Sequence, residues 1–460
     1  MSTAILPPQD SMERVALLHS PLQSLLHRSR RKELDQRVLE SVKGYFQQEY
    51  NIPQGKEFDR LWKDLAAPQW TPSQELTEAK IGAIKERFEK IFYNGPGFYH
   101  EKQAEWLDGD DQTVENLVQA LCHGRSLTSG IINRRFLNSI FIDVDPALLT
   151  SFRNALQREL VRLIEFPPHT EQEAIVWRAF RANVLALLPY SYPEDGTELI
   201  VPVLYKNMEV LTEIYVIEGI PMSLTSLASP MRALGLTSKD SSDVDVPPIL
   251  SYMGTTFPGG DGYITSMLAD STPGHQVGGY LYKQNKETID AWFQGKQNVE
   301  VTGISLGGAL ALQTVADYSD KISRVDALNP PGLEGDTWHA STGNVLINIY
   351  CQAGDIVSKV GRWFYSKNIN LFRLFAHQDG VWEDPFTSHI RLATGCRRVT
   401  FIKEDPEEIN KRAERGFFTF IHRYLGPWIV FVPTFAVLII FEALRNTVRA
   451  VKAVFSRIFP

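Results

Sequence analysis

The sequence predicts an α/β fold: a mostly parallel sheet covered on both faces, with a helical region before it and an apolar, amphipathic tail after it. Three observations lead there. Beyond residue 191, short apolar strands alternate with helical periodicity, as strand–helix units in a parallel sheet do. One such unit, Asn298–Ala316, runs from a strand through a glycine-rich turn into an Ala/Leu-rich helix. The composition is that of a folded chain able to bury a core, with 43% apolar and 22% charged residues in 460.

The elements follow in order. The start of the chain lacks the basic segment and apolar core of a secretory signal, so an intracellular or membrane-associated location is expected. Residues 1–190 read as a helical region. Val38, Val42 and Tyr45 recur at helical spacing, as do Ile81, Ile84, Phe88 and Ile91. A helix is expected over Ala79–Phe92, stopped by Asn94-Gly95-Pro96-Gly97. Two more are expected at Pro146–Ile164 and Glu171–Leu188. The texture changes after Ser191-Tyr192-Pro193-Glu194-Asp195-Gly196. Residues 191–415 then read as the α/β domain. Leu199–Tyr205 and Glu213–Ile220 form a predicted hairpin, and Ile249–Met253 a short apolar strand. Thr288–Phe293 belongs to an amphipathic helix. Asn298–Thr302, Val325–Leu328, Val345–Cys351 and Arg398–Ile402 read as strands, and Ala309–Ala316 as a helix.

Residues 416–460 form the tail. Tyr424–Phe441 is an 18-residue stretch without a charge, at the lower edge of a membrane-spanning length, and Pro427 and Pro433 interrupt it. Beyond it, Leu444, Val448, Val451, Phe455 and Ile458 fall on one helical stripe. From Lys411 to Pro460 there are eight basic and two acidic residues, in a chain whose net charge is −7. A basic, apolar segment on an acidic body suits an anionic lipid surface, and two prolines suit an interfacial segment better than a straight span. The competing expectation is a helix packed against the N-terminal region.

Several function classes are excluded or disfavoured. The acidic balance gives no global field for nucleic acid. Cys122, Cys351 and Cys396 are too few for a disulfide framework and match no zinc spacing. No metal or organic cofactor is implied. Gly259-Gly260-Asp261-Gly262 is not a phosphate loop, because no Lys-Ser/Thr follows it.

The chemistry concentrates at Val299–Ala311, where Gly303-Ile304-Ser305-Leu306-Gly307 is a G-x-S-x-G motif. A serine on so sharp a strand–helix turn is strained, with its hydroxyl projecting above the sheet edge. Gly303 and Gly307 remove side chains that would collide in the bend. The following helix aims its N-terminal amides at developing negative charge. Ser305 is therefore the candidate nucleophile, in need of a base.

Val301–Ala311 resembles the nucleophile elbow of the class 3 lipases, the fungal-lipase-like branch of the α/β hydrolases. Four further segments resemble that family in the same order. Pro247–Thr255 is similar to its strand ending in an oxyanion turn, Leu328–Gly332 to its next strand end, Ala353–Val357 to its Asp-x-Val segment, and Ser388-His389-Ile390 to its late histidine. The resemblance spans roughly residues 199–403. It implies an α/β-hydrolase sheet, Ser305 as nucleophile, Asp355 as triad acid and His389 as base, with the backbone N–H groups of Thr255 and Leu306 as oxyanion hole. The order Ser305, Asp355, His389 is the one this fold requires. Asp355 also follows an apolar strand, where a ligand-facing loop is expected. Three histidines follow Asp355. His422 abuts the apolar tail, and His377 reads as an exposed turn residue and remains the alternative base. The Thr255 hydroxyl is a possible third oxyanion donor. Phe257–Gly274, with Tyr263, Ile264, Met267 and Leu268 on an apolar face, reads either as a lid or as an ordinary surface loop.

The implied activity is a serine esterase or lipase acting on carboxylic, lipid-like esters through an acyl-enzyme. The alternatives are a phospholipase, thioesterase or acyltransferase using the same triad, or a non-catalytic membrane-tethered interaction protein on a hydrolase fold. The expected partners are an acyl-ester substrate and, through the tail, a membrane surface; oligomeric state stays open.

Overall fold

Helical periodicity ahead of residue 190 is realised in α1 (Pro146–Glu165) and α2 (Glu171–Leu187). The start of α2 follows from its sequence: Thr170 accepts from the Glu173 N–H at 3.2 Å, and Glu173 accepts from the His169 N–H. Trp177 donates its indole N–H to the Leu163 carbonyl, which pins α2 to α1. This computed structural model describes residues 146–205, 208–226, 228–239, 246–256, 260–272, 276–333, 343–352, 355, 357–359, 369–377, 389 and 398–404. It also describes isolated positions at 40, 43–44, 92–94 and between 435 and 454. Glu40, Lys43 and Gly44 are helical; the rest of the helices expected before residue 146, Phe92 apart, lies outside the described residues.

The chain divides into two compact units. One holds residues up to Asn94 together with Thr400–Ile402; the other holds Gly95–Val399 and Lys403–Pro460. In the first, β1 (Phe92–Asn94) pairs antiparallel with the middle of β10 (Arg398–Glu404), Phe92 lying opposite Ile402. Phe92, expected to close a helix, opens this strand instead. A long-range partner there meets its backbone hydrogen-bonding needs, which local periodicity cannot reveal.

The second unit holds the site. Its sheet runs β2 (Glu198–Leu204), β3 (Val210–Met222), β4 (Met231–Ser238), β5 (Ile249–Tyr252), β6 (Val299–Ile304), β7 (Ile322–Leu328), β8 (Leu346–Gln352) and β9 (Ile369–His377), in that spatial order. From β2 to β5 the neighbours are antiparallel; from β5 to β9 they are parallel. The sheet is thus mixed and mostly parallel. The expected hairpin forms, and β3 extends beyond it at both ends. Two strands, β4 and β9, were not expected from the patterning. In β4, Gly235 weakens the strand signal; a Cβ there would lie 1.9 Å from the Trp292 indole nitrogen, so the ring occupies that space. His377, read as an exposed turn residue, is instead the last residue of β9, and its side chain lies outside the described residues.

Strand alternation gives the parallel block two different faces. Val299, Val301, Val325, Ala327, Ile347, Ile349, Cys351 and Leu371 join one apolar core with α6 (Leu306–Tyr318) and with Leu281, Trp292 and Phe293. The alternate residues are polar and face α2. Glu300 accepts from Arg181 Nη1 at 2.6 Å, the Thr302 hydroxyl donates to the Ala182 carbonyl at 3.3 Å, and Asn348 Nδ2 donates to Asp326 at 2.9 Å. So α2 and α6 cover opposite faces, as a parallel sheet buried on both sides demands. Three shorter helices, α3 (Tyr263–Ser271), α4 (Gly279–Gln284) and α5 (Lys286–Phe293), lie between β5 and β6 in sequence.

Candidate active site

Parallel strands end on the same edge, so their C-terminal loops converge. Met253–Thr255 follows β5, Ser305 follows β6, Asn329 follows β7, and Asp355 lies three residues beyond β8. That edge is where open α/β sheets place ligands.

Ser305 has φ 56° and ψ −125°, a strained conformation for a residue with a side chain. The turn is held by two backbone bonds. The Ser305 N–H donates to the Leu328 carbonyl at 2.9 Å, and its own carbonyl accepts from Ala309 at 3.0 Å. The two flanking glycines are sterically required. A Cβ on Gly303 would stand 2.3 Å from the Gly307 carbonyl carbon, and one on Gly307 would stand 2.3 Å from the Tyr252 carbonyl oxygen. The second distance also shows how closely α6 starts against the end of β5. Ile304 and Leu306 are buried, whereas Ser305 is partly exposed.

Asp355 and His389, 34 residues apart, meet at 2.9 Å between Oδ1 and Nδ1. The Asp355 side chain is fully buried and His389 is 13% exposed. Asp355 Oδ1 also accepts from the Val357 N–H at 3.0 Å, and Oδ2 from the Ser358 N–H at 2.9 Å. Burial pushes this carboxyl upward. The hydrogen bond and charge interaction with His389, with the two backbone N–H groups, outweigh burial and hold it below its ordinary range. An ionised carboxylate only accepts, so the imidazole meets it with an N–H on Nδ1; in the neutral ring that arrangement leaves Nε2 as an acceptor. This is the tautomer a general base needs.

One residue here was not singled out from the sequence as functional. Asn329 is fully buried and sits at φ 43°. Its Nδ2 donates to the His389 carbonyl at 2.7 Å, and its Oδ1 accepts from the Gln352 N–H at 2.6 Å. Its own N–H donates to the Tyr350 carbonyl at 2.7 Å, and the Gln352 carbonyl accepts from the Asp355 N–H at 3.1 Å. One amide side chain therefore ties the His389 segment to the strand end that carries Asp355. The preceding residue, Leu328, holds Ser305. The only sequence signal was its place in Leu328-Asn329-Pro330, at a strand end, in a residue type that tolerates φ > 0.

The Thr255 turn differs from expectation in one respect. The Thr255 hydroxyl, a possible oxyanion donor, donates instead to Asp270 Oδ2 on α3 at 2.6 Å. A charged acceptor on the adjacent helix outcompetes a role toward solvent. The Tyr190 hydroxyl donates to the Thr255 carbonyl at 3.3 Å, and Ser266 Oγ accepts from the Thr256 N–H at 3.2 Å. The apolar face expected on the candidate lid points inward: Ile264 and Leu268 are buried in a small cluster with Ala228, and Tyr263 and Met267 pack against it. No cluster of His, Cys, Asp and Glu able to hold a metal occurs among the described residues.

No family model and no curated protein matches this chain. Among solved structures, it is similar to a crystal structure of a triacylglycerol lipase from Penicillium expansum. The likeness has 16% identity, covers 53% of this chain and 89% of that one, and has a TM-score of 0.27.

Proposed function

We propose that this protein is a serine carboxylic-ester hydrolase of the esterase or lipase type. Ser305 attacks the ester carbonyl, and His389 Nε2 takes the hydroxyl proton and passes it to the leaving alkoxide. Asp355 fixes the Nδ1–H tautomer and stabilises the imidazolium. Water then cleaves the acyl-enzyme. The oxyanion is received by the backbone N–H groups of Leu306, at the start of α6, and of Thr255. The observation that carries this reading is the Asp355–His389 pair, its carboxylate buried, on the sheet edge that also carries the strained Ser305.

Its test is hydrolysis of a short-chain chromogenic ester. Ser305→Ala should lose at least ~10³ in rate, as removal of a covalent nucleophile does. His389→Ala should match it, and His377→Ala should keep most activity. Retention of most activity by a folded Ser305→Ala protein overturns the proposal.

A further inference from the structure

The tail presents two unlike sides. All its described residues between 435 and 454 are helical. Ile440, Leu444, Val451 and Val454 are 61%, 47%, 48% and 54% exposed. On a helical wheel they fall within a sector of about 80° at 100° per residue. Phe435 and Arg449 fall on the opposite side, and both touch the domain. Phe435 packs against the cluster of Ala228, Ile264 and Leu268. Arg449 reaches Asp261 Oδ1 through both terminal nitrogens at 3.1 Å.

Those inner contacts converge on α3. Asp261 immediately precedes Gly262, the residue that caps α3, and its carbonyl accepts from the Tyr192 hydroxyl at 2.8 Å. Helix α3 in turn holds the Thr255 hydroxyl through Asp270 and the Thr256 N–H through Ser266. A continuous set of contacts thus leads from the tail to the turn beside Ser305. Meanwhile the outer side shows four large aliphatic residues to solvent, which costs free energy unless an apolar phase receives them.

Charge selects the receiving phase. Arg445, Lys452 and Arg457 accompany this stripe, with Arg449 engaged by Asp261 on the inner side, against Glu442 as the single acidic residue from 442 to 460. Aliphatic residues on one face with flanking cations match an anionic bilayer interface, where such a helix lies in the plane of the surface. No described helix is long and apolar enough to cross a membrane.

We propose that this tail docks the protein on anionic bilayers through Ile440, Leu444, Val451 and Val454. Its opposite side, through Phe435 and Arg449, ties α3 and the Thr255 turn to the docked tail. Docking stands on the helix faces alone. Delivery of a lipid ester to Ser305 rests on the hydrolase reading above.

The test uses the full chain and two kinds of vesicle: pure phosphatidylcholine, and phosphatidylcholine with roughly one-third phosphatidylserine. The wild type should co-sediment with the anionic vesicles. Leu444→Glu/Val451→Glu should lose at least ~10-fold in partitioning while still cleaving a water-soluble ester at the wild-type rate. Unchanged partitioning overturns the proposal. So does loss of a dimer on the same substitutions without any vesicle binding, because the stripe would then receive a second copy. For the inner side, Asp261→Arg should leave partitioning intact and raise amide exchange of Tyr263–Ser271 in vesicle-bound protein. Asp261→Arg/Arg449→Asp should restore protection. Exchange that neither rises nor recovers overturns the link to α3. A wild type that binds vesicles and shows this exchange pattern yet cleaves no ester overturns the hydrolase reading and leaves docking standing.

Discussion

Two buried aspartates sit in neighbouring parts of the same sheet, and their surroundings displace their pKa values in opposite directions. Asp326 lies inside β7, on the face under α2, and burial raises its pKa despite Arg324 and the Asn348 amide. Asp355 lies just past β8 and is just as inaccessible, yet its carboxyl is held low. The difference is in the donors. Within a strand the backbone N–H groups are committed to the ladder, so Asp326 receives side-chain partners only: Asn348 Nδ2 at 2.9 Å and the Tyr350 hydroxyl at 3.4 Å. Beyond the strand end the backbone is released, and Asp355 collects two N–H groups and an imidazole. A strand end supplies a buried anion with what a strand interior cannot. This gives a physical reason for a buried carboxylate that orients an imidazole to sit there.

The strongest attempt to break this comparison is Asp355→Asn. The amide keeps the volume and loses the fixed acceptor for Nδ1–H. Ester hydrolysis should fall by about 10³–10⁴ in kcat, with the fold intact by circular dichroism. Equal activity in the variant would mean that the strand-end carboxylate has no part in the reaction.

A smaller effect is expected at Asn329, which joins the two arms of the site. Asn329→Ala should lower kcat by about 10- to 100-fold with KM nearly unchanged, because His389 is displaced while the rest of the site remains. Asn329→Gly retains access to φ 43° without the amide, so it separates backbone strain from lost positioning. If Asn329→Gly restores full kcat, the side-chain bonds to His389 and Gln352 contribute nothing to turnover.

Stability against pH should separate the two aspartates by sign. The folded-state pKa of Asp355 is lowered, so its contribution is complete above the unfolded value, near ~4, and is lost as pH falls through the folded value. The folded-state pKa of Asp326 is raised, so its contribution is present below the unfolded value and is lost as pH rises through the folded one. In urea titrations across the acid range, the wild-type advantage over Asp355→Asn should shrink toward low pH. The advantage over Asp326→Asn should be greatest at low pH. Two parallel trends would dissolve the comparison.

The smallest expected effect is that of Asp326→Asn at neutral pH. The asparagine oxygen still accepts from Asn348, and a carboxylate that resists ionisation is removed. Stability should change by no more than about 1 kcal/mol and ester hydrolysis should not change. A large loss would show that Arg324 depends on this charge.

Much of this architecture was legible along the chain. The turn at Ser305 could be read because its constraints are local: a strand, two glycines within two residues of the serine, and a small-residue helix. The helices α1 and α2, the hairpin and the apolar strands β5 to β8 were legible for the same reason, since period and burial leave their mark within a few residues. Strands β4 and β9 were less legible. The close approach of Trp292 to Gly235 is a tertiary reason for a residue that reads as a strand breaker.

What the sequence alone determined is the set of elements and the position of one strained serine, because steric and periodic rules act over a turn or a strand. Tertiary structure decided who meets whom. It brought His389 to Asp355 across 34 residues and to Asn329 across 60. It turned the Thr255 hydroxyl to Asp270, and it seated Phe435 on the cluster beside α3. Such pairings depend on strand order and on competition among buried donors and acceptors. Neither leaves a spacing in the sequence, because the free energy that selects them is gained only once the sheet has closed around them.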